Sequence, residues 1–278
     1  MKQRGEKTAM LTAYDYPTAK MLDGAGVDVL LVGDSLGMVV LGYESTLPVT
    51  MAEMLHHVKA VVRGASRALV VADMPYLSYH VSRREAVQNA GRFIQEAGAK
   101  AVKVEGGRKR TRVIRALREA EIPVMGHVGL TPQSVHDLGG FKLQGRSAAA
   151  ARGILEDALA LEDSGVFSMV LEGIPAELAG LITERISIPT FGIGAGPACD
   201  GQVLVLHDLL GLTEGHVPSF VRRYADLHAS ISVACRQFVG DVREGRFPGE
   251  VESHHLKPEV LDDLRRGLDP AANSPWRT

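Results

Sequence analysis

Read for its apolar and polar positions, the chain alternates between two rhythms. Short runs dense in Val, Ile and Leu recur near 8–12, 29–33, 69–73, 101–105, 123–126, 168–172, 190–193 and 202–206. Most lack any apolar–polar alternation: Val29-Leu-Leu-Val32 and Leu69-Val-Val-Ala72 are apolar throughout. A strand reads this way when helices cover one face and a packed interior fills the other, as in a parallel sheet. Helix signals separate the runs. Thr50 with Glu53, and Ser82 with Glu85, have capping-box spacing, with Gly64 and Gly98 as the matching stops. Pro175 suits the first turn of a helix running to about Arg185. Eight strands with helices between them predict a (β/α)8 TIM barrel, ahead of an open doubly wound sheet.

A weak repeat runs through this pattern. Gly26 to Asp34, Gly98 to Glu105 and Gly165 to Glu172 each pass from a glycine through a strand to a carboxylate, and Leu69-Val-Val-Ala-Asp73 ends the same way. In a barrel, Asp34, Asp73, Glu105 and Glu172 would converge on the C-terminal mouth, where active sites are built. Crowded carboxylates repel one another, and a hard cation such as Mg²⁺ resolves this by taking a few of them plus water and substrate oxygens. The competing reading is that acidic residues simply open polar loops; four in register weigh against it.

Other residues join these ends. Lys103 lies two before Glu105 and so shares its strand face. It would bind a substrate oxygen, form a Schiff base or balance charge. Ser35 offers a hydroxyl and a backbone N–H between Gly33 and Gly37. His127, placed after the fifth strand, is a general acid, ligand, donor or structural residue on type alone. His56, His57 and His80 carry no paired signal and read as scaffold. The loop Gly192-Ile-Gly-Ala-Gly196 suits anion binding, but no acidic partner follows a second strand at the spacing a dinucleotide needs.

Composition narrows the classes. With Lys+Arg 31 against Asp+Glu 33 and net charge -2, no basic surface for nucleic acid is expected. No apolar run reaches membrane-spanning length, and no apolar signal region opens the chain, so the expected location is cytoplasmic. Cys199 and Cys235 form neither a metal pair nor a disulfide framework. One barrel domain is expected over 1–263, with 264–278 a loose tail.

Longer stretches carry a family resemblance. They include Leu11-Thr-Ala-Tyr-Asp15, Val32-Gly-Asp-Ser-Leu-Gly-Met38, Ser45-Thr-Leu-Pro-Val-Thr50, Ala72-Asp-Met-Pro75 and Val102-Lys-Val-Glu-Gly-Gly107. Gly126-His-Val-Gly-Leu-Thr-Pro-Gln-Ser134, Gly140-Phe-Lys-Leu-Gln-Gly145, Val170-Leu-Glu172, Ile188-Pro-Thr-Phe-Gly-Ile-Gly-Ala-Gly196 and Asp200-Gly-Gln-Val-Leu-Val-Leu-His-Asp208 follow. In these the chain resembles the ketopantoate hydroxymethyltransferases, from about Thr8 to Pro248. The resemblance implies a barrel of the phosphoenolpyruvate/pyruvate superfamily, assembled as a homo-decamer. The implied reaction passes a one-carbon unit from 5,10-methylenetetrahydrofolate to 3-methyl-2-oxobutanoate through a Mg²⁺-stabilised enolate, giving 2-dehydropantoate for pantothenate synthesis. By matching motifs, Asp34 and Asp73 would ligate Mg²⁺ and contact substrate. Glu105 would be a further metal-site carboxylate, Ser35 and Lys103 substrate contacts, and Glu172 the base that removes the C3 proton.

Two other readings stand beside it. A C–C lyase of the same superfamily commonly places a cysteine at the mouth, and no strand-end motif here holds one. A catalytically dead barrel has no reason to keep four carboxylates and a lysine together, because unused buried charge is costly.

Overall fold

The computed structural model describes residues 2–215 and 217–268. Strands β1 (Thr8–Thr12), β2 (Val29–Val32), β3 (Leu69–Asp73), β4 (Ala101–Glu105), β5 (Val124–Gly129), β6 (Ser168–Glu172), β7 (Thr190–Ile193) and β8 (Gly201–Leu204) pair in chain order, and β8 closes on β1. Every pairing is parallel. This is the closed (β/α)8 barrel that the apolar runs predict. Around it, in chain order, come α1 (Tyr16–Gly24), α2 (Leu36–Val39), α3 (Met51–Gly64), α4 (Arg83–Gln95), α5 (Thr111–Glu119), α6 (Ala148–Asp163), α7 (Ala176–Arg185) and α8 (Leu206–Leu209).

The unalternating strands have the double burial their sequence requires. Met10, Val29, Leu31, Val71, Ala101, Met125, Val170, Phe191 and Val203 fill the barrel interior. Their neighbours Leu30, Val32, Val70, Val102, Val104 and Leu171 face outward into a second core shared with the helices. Strand periodicity then continues the interior row to the mouth: Val71 leads to Asp73, Ala101 to Lys103 and Glu105, Met125 to His127, and Val170 to Glu172.

Local chemistry sets the helix bounds. Thr50 and Glu53 form the full capping box of α3. At α4 the Ser82 hydroxyl accepts from the Glu85 N–H. Asp15 caps α1 by accepting from the Thr18 N–H at 2.8 Å. Gly64 ends α3 where a Cβ would lie 2.6 Å from the Tyr16 carbonyl, so its bare backbone lets α1 and α3 approach.

Three boundaries differ from expectation. β5 continues to Gly129, because Glu105 pairs with His127 and Gly129 with Glu172, so His127 lies within the strand rather than after it. β8 ends at Leu204, and Thr12 Oγ1 accepts the Leu206 N–H at 2.9 Å as α8 begins. The barrel unit comprises Met1–Asp226, and a second compact unit begins at Leu227. That unit contains α9 (Leu227–Arg243) and α10 (Pro258–Leu268), so the expected boundary at 263 falls inside a helix. The apolar spacing of Val260, Leu261, Leu264 and Leu268 carries the helix through it. The remainder of the expected tail, 269–278, lies outside the described residues. No described helix is long and apolar enough to cross a membrane.

Candidate metal centre and active site

Asp34, Asp73, Lys103, Glu105 and His127 meet at the mouth, each no more than 3% exposed. One carboxylate oxygen from each of Asp34, Asp73 and Glu105 lies within 4.8 Å of the others. Lys103 Nζ sits 2.8 Å from Asp73 Oδ1 and 3.4 Å from Glu105 Oε1. Its third neighbour is His127 Nδ1, at 3.3 Å. On the far side of the ring, His127 Nε2 is 3.3 Å from Glu172 Oε2. The row therefore runs Asp73, Lys103, Glu105, His127, Glu172 along adjacent strands, with Asp34 closing it from β2.

Electrostatics make this an anionic pocket short of positive charge. Three carboxylates crowd around one ammonium. Burial, then the charges of Asp73 and Glu105, raises Asp34 well above the usual carboxylate range. Burial also lifts Asp73, to about 6, although Lys103 pulls the other way. Glu105 is desolvated too, but Lys103, His127 and the Gln133 N–H outweigh that and hold it at about 2. Lys103 is raised: its burial cost is exceeded by the attraction of Asp73, Glu105 and Asp34. An amine held charged in this way is a poor nucleophile, which removes the support for a Schiff base. For His127, burial and Lys103 push down, while contacts with Glu105 and Glu172 bring it up to about 9.

The donor set fits a hard divalent cation. The candidate ligands are all carboxylate oxygens, and they converge. Asp34 and Asp73 are the carboxyls that burial and neighbouring carboxylates push upward, and a cation held between them would favour their charged forms.

Ser35 joins the site indirectly. Its Oγ lies 2.8 Å from the Tyr14 hydroxyl, beside Asp34 in the chain. Burial raises the Tyr14 phenol, so the group stays protonated and able to donate. The three histidines read as scaffold stay outside the carboxylate cluster. His57 Nδ1 bonds the Tyr14 carbonyl at 2.7 Å, His56 lies edge-on to His57, and His80 stacks on Tyr79 with centroids 4.2 Å apart. In the loop after β7, Gly194 is accounted for by packing: a Cβ there would come within 2.7 Å of Phe220.

Tyr14, Tyr79 and Gln133 escape the sequence reading. Gln133 lies in a turn of its own (Pro132–Ser134) beyond β5, and is buried against the carboxylates. Its one signal is a polar residue following Thr131-Pro132 at a strand end, which by itself is an ordinary loop.

Comparison with known proteins places the chain in a family. The family model for ketopantoate hydroxymethyltransferase matches residues 1–250. A 3-methyl-2-oxobutanoate hydroxymethyltransferase from Syntrophomonas wolfei is 57% identical over 263 residues, covering 95% of each chain. One from Trichlorobacter lovleyi is 61% identical over 253 residues, covering 91% of this chain and 95% of its own. Among solved structures, a phosphoenolpyruvate phosphomutase from Streptomyces platensis superposes with a TM-score of 0.60 at 16% identity, over 95% of this chain and 94% of its own. A 2,3-dimethylmalate lyase of the PEP mutase/isocitrate lyase superfamily gives 0.58 at 16%, over 97% and 93%. At that identity the likeness is one of fold.

Proposed function

The chain belongs to the ketopantoate hydroxymethyltransferase family, and from that premise we propose how its residues divide the chemistry. The activity is hydroxymethyl transfer to 3-methyl-2-oxobutanoate, a step of pantothenate synthesis. We take the donor to be 5,10-methylenetetrahydrofolate. The balance is then one 2-oxo acid, one methylene donor and one water in, and 2-dehydropantoate and tetrahydrofolate out.

Asp34, Asp73 and Glu105 would hold Mg²⁺. When bound, the ion polarises the ketone and carboxylate oxygens of the 2-oxo acid and offsets charge that builds on the ketone oxygen. Lys103 stays charged throughout and would bind a substrate oxygen, while Tyr14 turns the Ser35 hydroxyl toward the substrate carboxylate. Glu172 removes the C3 proton. His127 Nε2 lies 3.3 Å from Glu172 Oε2, where a charged imidazole would attract that carboxylate. Loss of the proton leaves C3 nucleophilic, and C3 forms the new bond to the methylene carbon as one of that carbon's two bonds to folate nitrogen breaks; water displaces the other, and the two nitrogens take up the C3 proton and one proton of the water. Water supplies the oxygen of the product hydroxyl.

The observation that carries this reading is the convergence of three buried carboxylates on one point, with a fourth held behind a histidine. A lyase reading loses further ground in the structure. Cys199 lies just before β8, where its carbonyl accepts from Lys7, at the end of the barrel opposite the mouth. Phe238, Val239 and Val242, exposed on the second unit, support self-association. Its assembly as a decamer in the cytoplasm is our expectation from the family, and sedimentation equilibrium measures the subunit count.

The function is tested by NMR with purified protein, Mg²⁺ and both substrates. 2-Dehydropantoate should accumulate only when metal and methylenetetrahydrofolate are both present. Product formed at full rate in EDTA, or a folded, metal-loaded protein that forms none, contradicts the proposal.

A further inference from the structure

Gln133 is neither acid, base nor nucleophile, yet it is buried to 5% exposure and all of its side-chain polar atoms are spent beside the carboxylates. Its backbone N–H donates to Glu105 Oε2 at 3.0 Å. Its Nε2 donates to Asp34 Oδ2 and to the Met74 carbonyl, each at 2.9 Å. Its Oε1 accepts from the Tyr79 hydroxyl at 2.6 Å, and that hydroxyl in turn accepts from the Glu105 N–H at 3.3 Å. A flipped amide would set Oε1 against a carboxylate and a carbonyl, so only one orientation satisfies every group. Tyr79, 0% exposed and stacked on His80, is itself held in place.

The geometry points to Gln133, oriented by Tyr79, as a positioning residue of the metal centre that ties Asp34 of the β2 end to Glu105 of β4 at ligating separation. Gln133 takes up Oδ2 of Asp34 and Oε2 of Glu105, while Glu105 Oε1 faces Lys103. Two bare carboxylates on strands separated by β3 would otherwise swing apart, and the cation would have to recover that movement on binding. Outer partners that orient ligands in this way commonly change metal affinity 10- to 100-fold when removed. The inference rests on the assignment of Asp34, Asp73 and Glu105 as the metal ligands.

Mn²⁺, titrated into the full chain and followed by the EPR signal of the free ion, tests it without turnover. Gln133→Leu keeps the size and the backbone N–H and should weaken Mn²⁺ binding about 10- to 100-fold. Tyr79→Phe should weaken it in the same direction by less. Both are measured well below each variant's unfolding temperature, so loss of stability alone does not move the reading. A folded Gln133→Leu chain with the parent dissociation constant overturns the inference. If Gln133→Leu does not fold, Tyr79→Phe decides, and an unchanged constant overturns it equally. Asp73→Asn separates the two levels. If it weakens binding while the Gln133 and Tyr79 variants do not, only this inference falls. If it leaves Mn²⁺ binding intact, the metal assignment falls with it.

Discussion

Replacing Lys103 by Met removes the one ammonium among three buried carboxylates and keeps the length of the side chain. Lys103 lies 2.8 Å from Asp73 and 3.4 Å from Glu105. Breaking a buried pair by deleting one partner costs roughly 3–5 kcal/mol, because the remaining charge is left uncompensated. The cost has a ceiling, since a stranded carboxyl can take up a proton instead. Relative to an unfolded Asp near 3.9, that takes about 5.6 kcal/mol at pH 8 and about 2.9 kcal/mol at pH 6. A folded-state value raised above the unfolded one means that stability is lost as pH rises, so Lys103→Met should suffer more at pH 8 than at pH 6. For a barrel of this size, 3–5 kcal/mol corresponds to a fall in Tm of about 6–20 °C. Mg²⁺ should restore part of the loss, because it supplies the charge the variant lacks. The assay is calorimetric or circular-dichroism melting of parent and variant, in EDTA and in Mg²⁺, at both values of pH. A variant that melts in EDTA within a degree or two of the parent at pH 8 would refute the reasoning.

Other outcomes follow from the same site. Burial lifts Asp73 to about 6, so cation and proton should compete for it as pH falls. Asp34 is raised as well, so Mn²⁺ affinity should fall as pH falls, by about tenfold per unit or more below about 6; equal affinities at pH 7 and pH 5 would contradict this. Gly129→Ala should be severe, since φ there is +96° and a Cβ would lie 2.2 Å from the Glu172 carbonyl. The expected result is a soluble chain that melts lower and turns over far more slowly, because the bond from the Leu130 N–H to that carbonyl holds the end of β6; parent activity and Tm would count against it. Thr50→Ala removes half of a complete capping box and should cost about 1 kcal/mol in urea unfolding with kcat unchanged.

Much of this was legible in the chain, for a definite physical reason. Barrel strands are buried on both faces, so they announce themselves as unbroken apolar runs, and a charged residue inside such a run must sit at its end. That logic locates Asp34, Asp73, Lys103, Glu105 and Glu172, and the family resemblance supplies their roles. It misplaces His127 because Val124–Gly129 contains two glycines and a histidine, which dilute the apolar signal that would have extended β5. Gln133 and Tyr79 stay hidden because their significance lies in partners 54 residues apart in sequence, and no local pattern marks a loop glutamine whose side chain will bond Asp34 while its backbone N–H bonds Glu105. The second unit is obscured differently: α9 and α10 are amphipathic helices like the others, and nothing in their pattern marks them as a unit separate from the barrel.

The central claim is that Glu172 takes the C3 proton of a 2-oxo acid held at the carboxylate cluster. Exchange of that proton for deuterium in D₂O, followed by NMR with Mg²⁺ and 3-methyl-2-oxobutanoate but no folate, measures the step directly. Parent protein should exchange it in a metal-dependent manner. Glu172→Gln should bind Mn²⁺ as the parent does and exchange about 10²- to 10⁴-fold more slowly, the usual contribution of a positioned base. Exchange at the parent rate in Glu172→Gln would contradict the account.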